Sequence, residues 1–229
     1  MIARMVQSIV SGAVLLASWA ACAGGTSAWQ QDFGISKCNL LPTGRNPYFV
    51  LEPGFELVLE GGGTKLQIRV LDETKTVDGV VTRVVEEKEW KDGNLHEIAR
   101  NYFAICEQTK DVFYFGEDVD FYENGKVVKH DGSWLAGDKN KPGLIMPGAP
   151  KLSMKYYQEL APGVAMDRAE IVSLKETCKT PAGTFAQCMK VKEGSAIDLT
   201  ASEHKYYAPG VGLVRDQDLQ LTKYGFSKG

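Results

Sequence analysis

Past its first two dozen residues the chain reads as short alternations of apolar and polar positions interrupted by turn residues. Phe55 to Glu60 alternates, Gly61-Gly62-Gly63 breaks the pattern, and Leu66, Ile68 and Val70 resume it with polar partners, the period-two signature of half-buried strands. Val80 to Trp90 is a long β-branched run that ends at Asp92-Gly93, after which Leu95 to Cys106 returns. A two-residue turn there predicts Lys88 opposite Glu97 and Glu89 opposite His96. Asn124-Gly125 tolerates the positive φ values of a type I′ turn. Folding about it pairs Glu123 with Lys126, Tyr122 with Val127, Phe121 with Val128 and Asp120 with Lys129, so charge and apolarity agree on one register. Further strands are expected near 153–160, 169–178, 184–193, 202–208 and 211–224, and no helix-length amphipathic segment follows the N-terminal stretch. Roughly ten sequential antiparallel strands form a meander that must close or curl to protect its edges. The expected fold is therefore mainly β, a single antiparallel meander over 29–229 forming a barrel-like or strongly curved sheet, with a β-sandwich as the alternative.

Two segments depart from the strand pattern. Residues 29–54 carry Pro42, Gly44, Pro47, Pro53 and Gly54 and read as irregular. The stretch from Asp131 to about Lys151, with Pro142, Gly143, Pro147, Gly148 and Pro150, reads as a long connection of the kind that often serves as a binding loop or lid. Residues 1–25 read as a signal peptide with a helical apolar stretch. Arg4 supplies a positive start, Val6 to Ala21 is mostly apolar, and the small residues around Ala21-Cys22-Ala23 offer a cleavage site. An uncleaved anchor is the rival, although Gln7, Ser8 and Ser11 leave the apolar stretch short of a full span. A third reading makes Cys22 a lipid-modified N-terminus, with Trp19 where bacterial lipoproteins usually place a Leu-like residue. All three put the domain in the periplasm or outside the cell. Membrane attachment follows only if Cys22 is lipidated, as in an outer-membrane lipoprotein, or if the leader is retained.

Composition narrows the function classes. The 229 residues are 44% hydrophobic and 24% charged, which is enough to bury a core in one domain. The net charge is −3, and −4 once Arg4 leaves with the leader. That balance offers no footprint for nucleic acid and no charge-driven binding to an anionic membrane. No phosphate-binding loop or dinucleotide fingerprint is present, so no cofactor is expected. Gly61-Gly62-Gly63 precedes a strand, and so gives an anion no helix N-terminus. Cys38, Cys106, Cys178 and Cys188 allow three complete pairings. The turn at Thr180–Thr184, read as a three-residue loop, sets Cys178 opposite Ala186 and leaves Cys188 a diagonal neighbour beyond disulfide reach.

Candidate chemistry is sparse. His96, His130 and His204 each adjoin an acid but lack metal-ligand spacing. Asp118 to Gly125 holds acids without the EF-hand spacing and is better read as the Asn-Gly turn. Ser133 lacks the G-x-S-x-G of a nucleophile elbow. Glu159, Asp167, Arg168 and Glu170 place three acids and one guanidinium within twelve residues. They form either a buried ion network or the floor of a polar pocket. Tyr102, Phe103, Phe113, Tyr114, Phe115, Phe121, Tyr122 and Trp134 concentrate in one third of the chain, as core or as the lining of an enclosed cavity. The candidate ligand-binding residues are Trp134, His130, Glu159, Asp167, Arg168 and Glu170, and no residue is assigned to catalysis or to a metal.

Two stretches resemble known sequences. Thr180-Pro181-Ala182-Gly183-Thr184-Phe185 with Cys188, followed by Tyr206 to Val214, is similar to exported bacterial domains of the DUF3108/TapB-like kind. The middle, from Val112 through Glu170, resembles uncharacterised bacterial envelope proteins with the same ending. The resemblance implies a curved antiparallel sheet of the lipoprotein-carrier type and no reaction. The leading expectation is a non-enzymatic envelope protein that binds or carries a small-molecule or lipid-like ligand of apolar character. A structural or partner-binding surface protein is the alternative, and an unrecognised hydrolase using His130 or the acids of residues 159–170 the second. The oligomeric state is left open.

Overall fold

The computed structural model describes residues 28–227. The signal segment 1–25 and Cys22 lie outside the described residues. An N-terminal region holds a 3-10 turn at Ile35–Lys37 and the short strands β1 (Leu40–Leu41), β2 (Gly44–Asn46) and β3 (Phe49–Leu51). The first long meander is β4 (Phe55–Gly61), β5 (Thr64–Val77), β6 (Val80–Lys91), β7 (Asn94–Cys106) and β8 (Val112–Glu123), followed by β9 (Lys126–Lys129). Next come the short strands β10 (Trp134–Leu135), β11 (Lys141–Met146), β12 (Lys155–Tyr157) and β13 (Glu159–Leu160). The second meander is β14 (Asp167–Thr180), β15 (Gly183–Ser195), β16 (Glu203–Ala208), β17 (Gly212–Asp216) and β18 (Leu219–Phe226). The period-two runs are what become strands, and the expected 211–224 strand is split by a turn at Gln217-Asp218.

All of these strands but β2 and β3, which pair only with each other, form one antiparallel sheet that bends into a barrel. Its order runs β12-β14-β15-β16-β17-β18-β4-β5-β6-β7-β8-β11-β13. The two ends of that order are one continuous stretch, Lys155–Leu160. Its first half pairs with β14 (Tyr156 opposite Ala169) and its second half with β11 (Pro142 opposite Glu159). Gln30 bonds alongside Tyr156 and covers the edge left at the seam. A bent sheet that returns on itself leaves few strand edges to other chains.

The stretch expected to be a lid is instead wall. β11 pairs with β8 on one side (Gly143 opposite Tyr114) and with β13 on the other. A Cβ at Gly143 would stand 2.1 Å from the Gln158 carbonyl oxygen, so only glycine permits this approach. Gly143→Ala is expected to part the seam and cost about 3 kcal/mol or more. A lowered urea midpoint measures it, and an unchanged midpoint would show that the seam carries no strain.

Three registers differ from the sequence expectation, two because a bulge re-aims side chains and the third because a shorter turn is followed by a bulge. At Asp92-Gly93, Trp90 faces Leu95 as expected, but the ladder then slips so that Glu89 faces Glu97 and Lys88 faces Ile98. The extra residue, His96, turns Ala99 and Asn101 inward and leaves Arg100 outside beside Glu73 and Glu86. At Asn124-Gly125 the first two pairs form as expected, and then Phe121 faces Lys129 with the ammonium 4.4 Å from the ring centroid. Pro181-Ala182 makes a two-residue turn, so Cys178 faces Phe185 and a bulge at Gln187 (φ 54°) brings Cys188 opposite Glu176. Cys178 and Cys188 are both buried free thiols, while Cys38 and Cys106 form a disulfide.

Residues 29–54 are more ordered than their composition suggests, because they cap one end of the barrel. Phe49 packs edge-on against Phe103 (5.3 Å), and Phe33 packs against Phe113 (6.2 Å). The Asn46 amide donates to the carbonyls of Lys110 and Pro147. The aromatics of 102–134 mostly fill space: Phe103 stacks on Tyr114 (4.8 Å), which meets Trp134 edge-on (5.3 Å).

Candidate functional site

Strand alternation decides which side chains enter the barrel. Across the ladder Leu57, Ile68, Glu87 and Ala99 share one row, and Leu59, Leu66, Glu89 and Glu97 the next. On β14–β17 the inward rows are Ala169, Glu193 and Glu203, then Ile171, Val191, Lys205 and Asp216, then Met189 and Tyr207. Buried acids therefore stand on two walls that the strand order sets across the barrel from one another.

The second wall holds a compact charged site. Lys205 is 1% exposed, and its Nζ lies 2.8 Å from Glu193 Oε2, 3.2 Å from Glu203 Oε1 and 3.9 Å from Asp216 Oδ2. The Gln158 amide donates to Glu193 Oε1 (2.8 Å), and the Tyr207 hydroxyl reaches the same oxygen (3.4 Å). Asp167, 5% exposed, faces Ser195 in the adjoining row. Four buried acceptor atoms here have no hydrogen-bond partner: Glu193 Oε2 and Glu203 Oε1, which face the Lys205 ammonium, and Gln158 Oε1 and Asp167 Oδ2. Three carboxylates thus converge on one ammonium, with Asp167 in the adjoining row.

Burial shapes the protonation of this site. It pulls the Lys205 ammonium down, but Glu193, Asp216 and Glu203 outweigh that and hold it well above the usual lysine value. Burial pushes Asp167 up to about 7 against the opposing hydrogen bond from Ser195, and pushes Asp216 up to about 6 against the attraction of Lys205. Burial and the Glu193 charge raise the Tyr207 phenol, which therefore stays a donor. Asp167 is raised above its unfolded value of about 4. Its contribution to stability is then full below pH ~4 and is lost as pH climbs through about 7. Asp167→Asn is expected to remove that decline, so variant and wild type should diverge in urea midpoint between pH 4 and 8 in favour of the variant. Parallel curves would contradict the assignment.

Beside the charged site lies an apolar cavity of about 60 Å³. Phe49, Phe55, Val70, Phe103, Ile145 and Tyr207 line it, and Glu87 is its acidic member. It has room for a few heavy atoms, well short of the ~300–1,000 Å³ of pockets for drug-sized molecules. Tyr207 belongs to both regions, its ring in the cavity wall and its hydroxyl on Glu193.

The residues singled out from sequence do not converge. Asp167 and Trp134 are buried on inward rows, Trp134 opposite Glu117 with its indole nitrogen unpartnered, and Glu159 is buried at the seam. Arg168 lies on the other face of β14, its guanidinium 4.6 Å from the Trp29 ring centroid. Glu170 pairs there with Lys155 (3.7 Å). The expected grouping of acids around Arg168, as ion network or pocket floor, is therefore corrected: alternation sends Asp167 inward and Arg168 and Glu170 outward. The His130 side chain is 69% exposed, its Nδ1 2.8 Å from Asp120. The Ser133 hydroxyl accepts the Val119 N–H (2.9 Å). His96 and His204 lie on other strands. Glu193, Glu203, Lys205 and Asp216 escaped the sequence reading. The signal for Lys205 was its parity with Tyr207, which puts a cation on the apolar face of its strand.

Compared with known proteins, the chain matches no family model, no curated protein and no solved structure. Among the described residues no helix is long and apolar enough to cross a membrane, and no group of three or more His, Cys, Asp or Glu side chains is placed to hold a metal ion.

Proposed function

We propose that this is an exported, non-enzymatic binding protein that holds a small ligand inside its barrel. The observation that carries the reading is the junction at Tyr207, where an apolar cavity meets convergent buried polar groups. Enclosed apolar space with a few aimed polar groups is the usual form of a small-molecule site. The leader-like first residues and the Cys38–Cys106 disulfide support a periplasmic or extracellular location. The likeness of the Thr180–Phe185 and Tyr206–Val214 stretches to envelope domains of the DUF3108/TapB-like kind supports a carrier role over a catalytic one. The cavity's size favours a small molecule over a whole lipid chain.

Native mass spectrometry of protein recovered from an exporting host tests this. A fraction bearing an added small mass is expected. Val70→Leu, which extends a side chain into the cavity, should remove that mass and change stability by no more than about 1.5 kcal/mol, the scale of a 60 Å³ void at ~24 cal/mol per Å³. Apo protein alone, with no resonance shifts from small alcohols or amines, refutes the reading.

A further inference from the structure

The charged site has an excess of acceptors, and that excess specifies what it takes. Gln158 is 1% exposed. Its amide nitrogen is held toward Glu193 Oε1, since turning the amide over would set a carbonyl against a carboxylate. Its Oε1 is thereby left as a buried acceptor without a donor, and Asp167 Oδ2 is in the same condition. Asp167, Glu193, Glu203 and Asp216 bring four carboxylates, and Lys205 is the buried cation on that wall among the described residues. An anionic ligand would meet acceptors and negative charge. A quaternary ammonium would bring charge but no N–H. A primary ammonium brings both, with up to three donors on one compact centre.

We infer that the ligand is a small primary amine, its ammonium seated against Asp167 Oδ2 and Gln158 Oε1 and its short apolar part directed along the barrel interior toward Tyr207. The inference rests on the binding reading above and adds the chemical class of the ligand. Protonation of Asp167 is the competitor, because a neutral carboxylic acid supplies one of the donors that the site lacks.

The full-length exported protein, labelled with nitrogen-15, is titrated in parallel with butylammonium, 1-butanol and butyrate, three probes of one chain length and different charge. Butylammonium is expected to shift the amides of Val191–Glu193 and Lys205 and to saturate at a concentration at least ten-fold below that of 1-butanol, with butyrate weakest. Asp167→Asn should abolish the ten-fold preference while retaining the response to 1-butanol. Gln158→Met serves the same purpose if the first variant does not fold. Equal binding of 1-butanol or butyrate in the wild type overturns the amine inference and leaves the small-ligand reading standing. No shift from any of the three overturns both.

Discussion

Lys205→Met is expected to cost about 3–5 kcal/mol at pH 8, the penalty for stripping a buried carboxylate cluster of its cation. In the wild type the ammonium is held above its unfolded value, so its stabilisation persists through neutral pH and fades only above pH ~10. In the variant, Glu193, Glu203, Asp216 and Asp167 face one another without Lys205. Without the cation nothing offsets the mutual repulsion of the ionised carboxylates, so the loss grows as pH climbs and more of them ionise. The deficit should therefore be smaller at pH 5 than at pH 8. Urea unfolding of both proteins at the two pH values measures this directly. A deficit that does not change with pH would mean lost packing of the lysine stem rather than lost charge compensation.

Cys38→Ser is expected to cost about 4 kcal/mol, because the bridge to Cys106 closes a loop across a sequence separation of 68. The bridge also holds the cap in place, with Leu40 paired beside it opposite Cys106. Protease should then cut within residues 28–54 before it cuts the barrel strands, and the urea midpoint of the wild type should fall on reduction to that of the variant. If reductant leaves the wild-type midpoint in place, the cap is held by Phe49, Phe33 and Asn46 and the disulfide is incidental.

Much of the architecture was legible because its signals are local. The turn at Asn124-Gly125, the long run Val80–Trp90 and the alternation at Leu66–Val70 each announce a strand within a few residues, and all of them form. The errors share one cause. A bulge adds a single residue and inverts the parity of everything beyond it. His96, Val128 and Gln187 are such points, and nothing in their immediate neighbours marks them. The lid reading of 131–151 failed for a related reason: Gly143 looked like a breaker, whereas its missing side chain is what admits another backbone.

The sequence by itself determined that the domain is mainly β, that its strands follow one another as antiparallel neighbours, and that such a meander has to bend. Hairpin pairing is a matter of nearby residues and turn chemistry, so these conclusions needed no distant contact. Which side chains meet inside was a different matter. Asp167, Glu193, Lys205 and Asp216 come from four strands spread over 50 positions and share a site only because each register fixes its inward row. Cys38 found Cys106, and Gln158 found Glu193, only once the barrel had closed. Closure sets distances between strands that no local pattern encodes, and the candidate site is made of those distances.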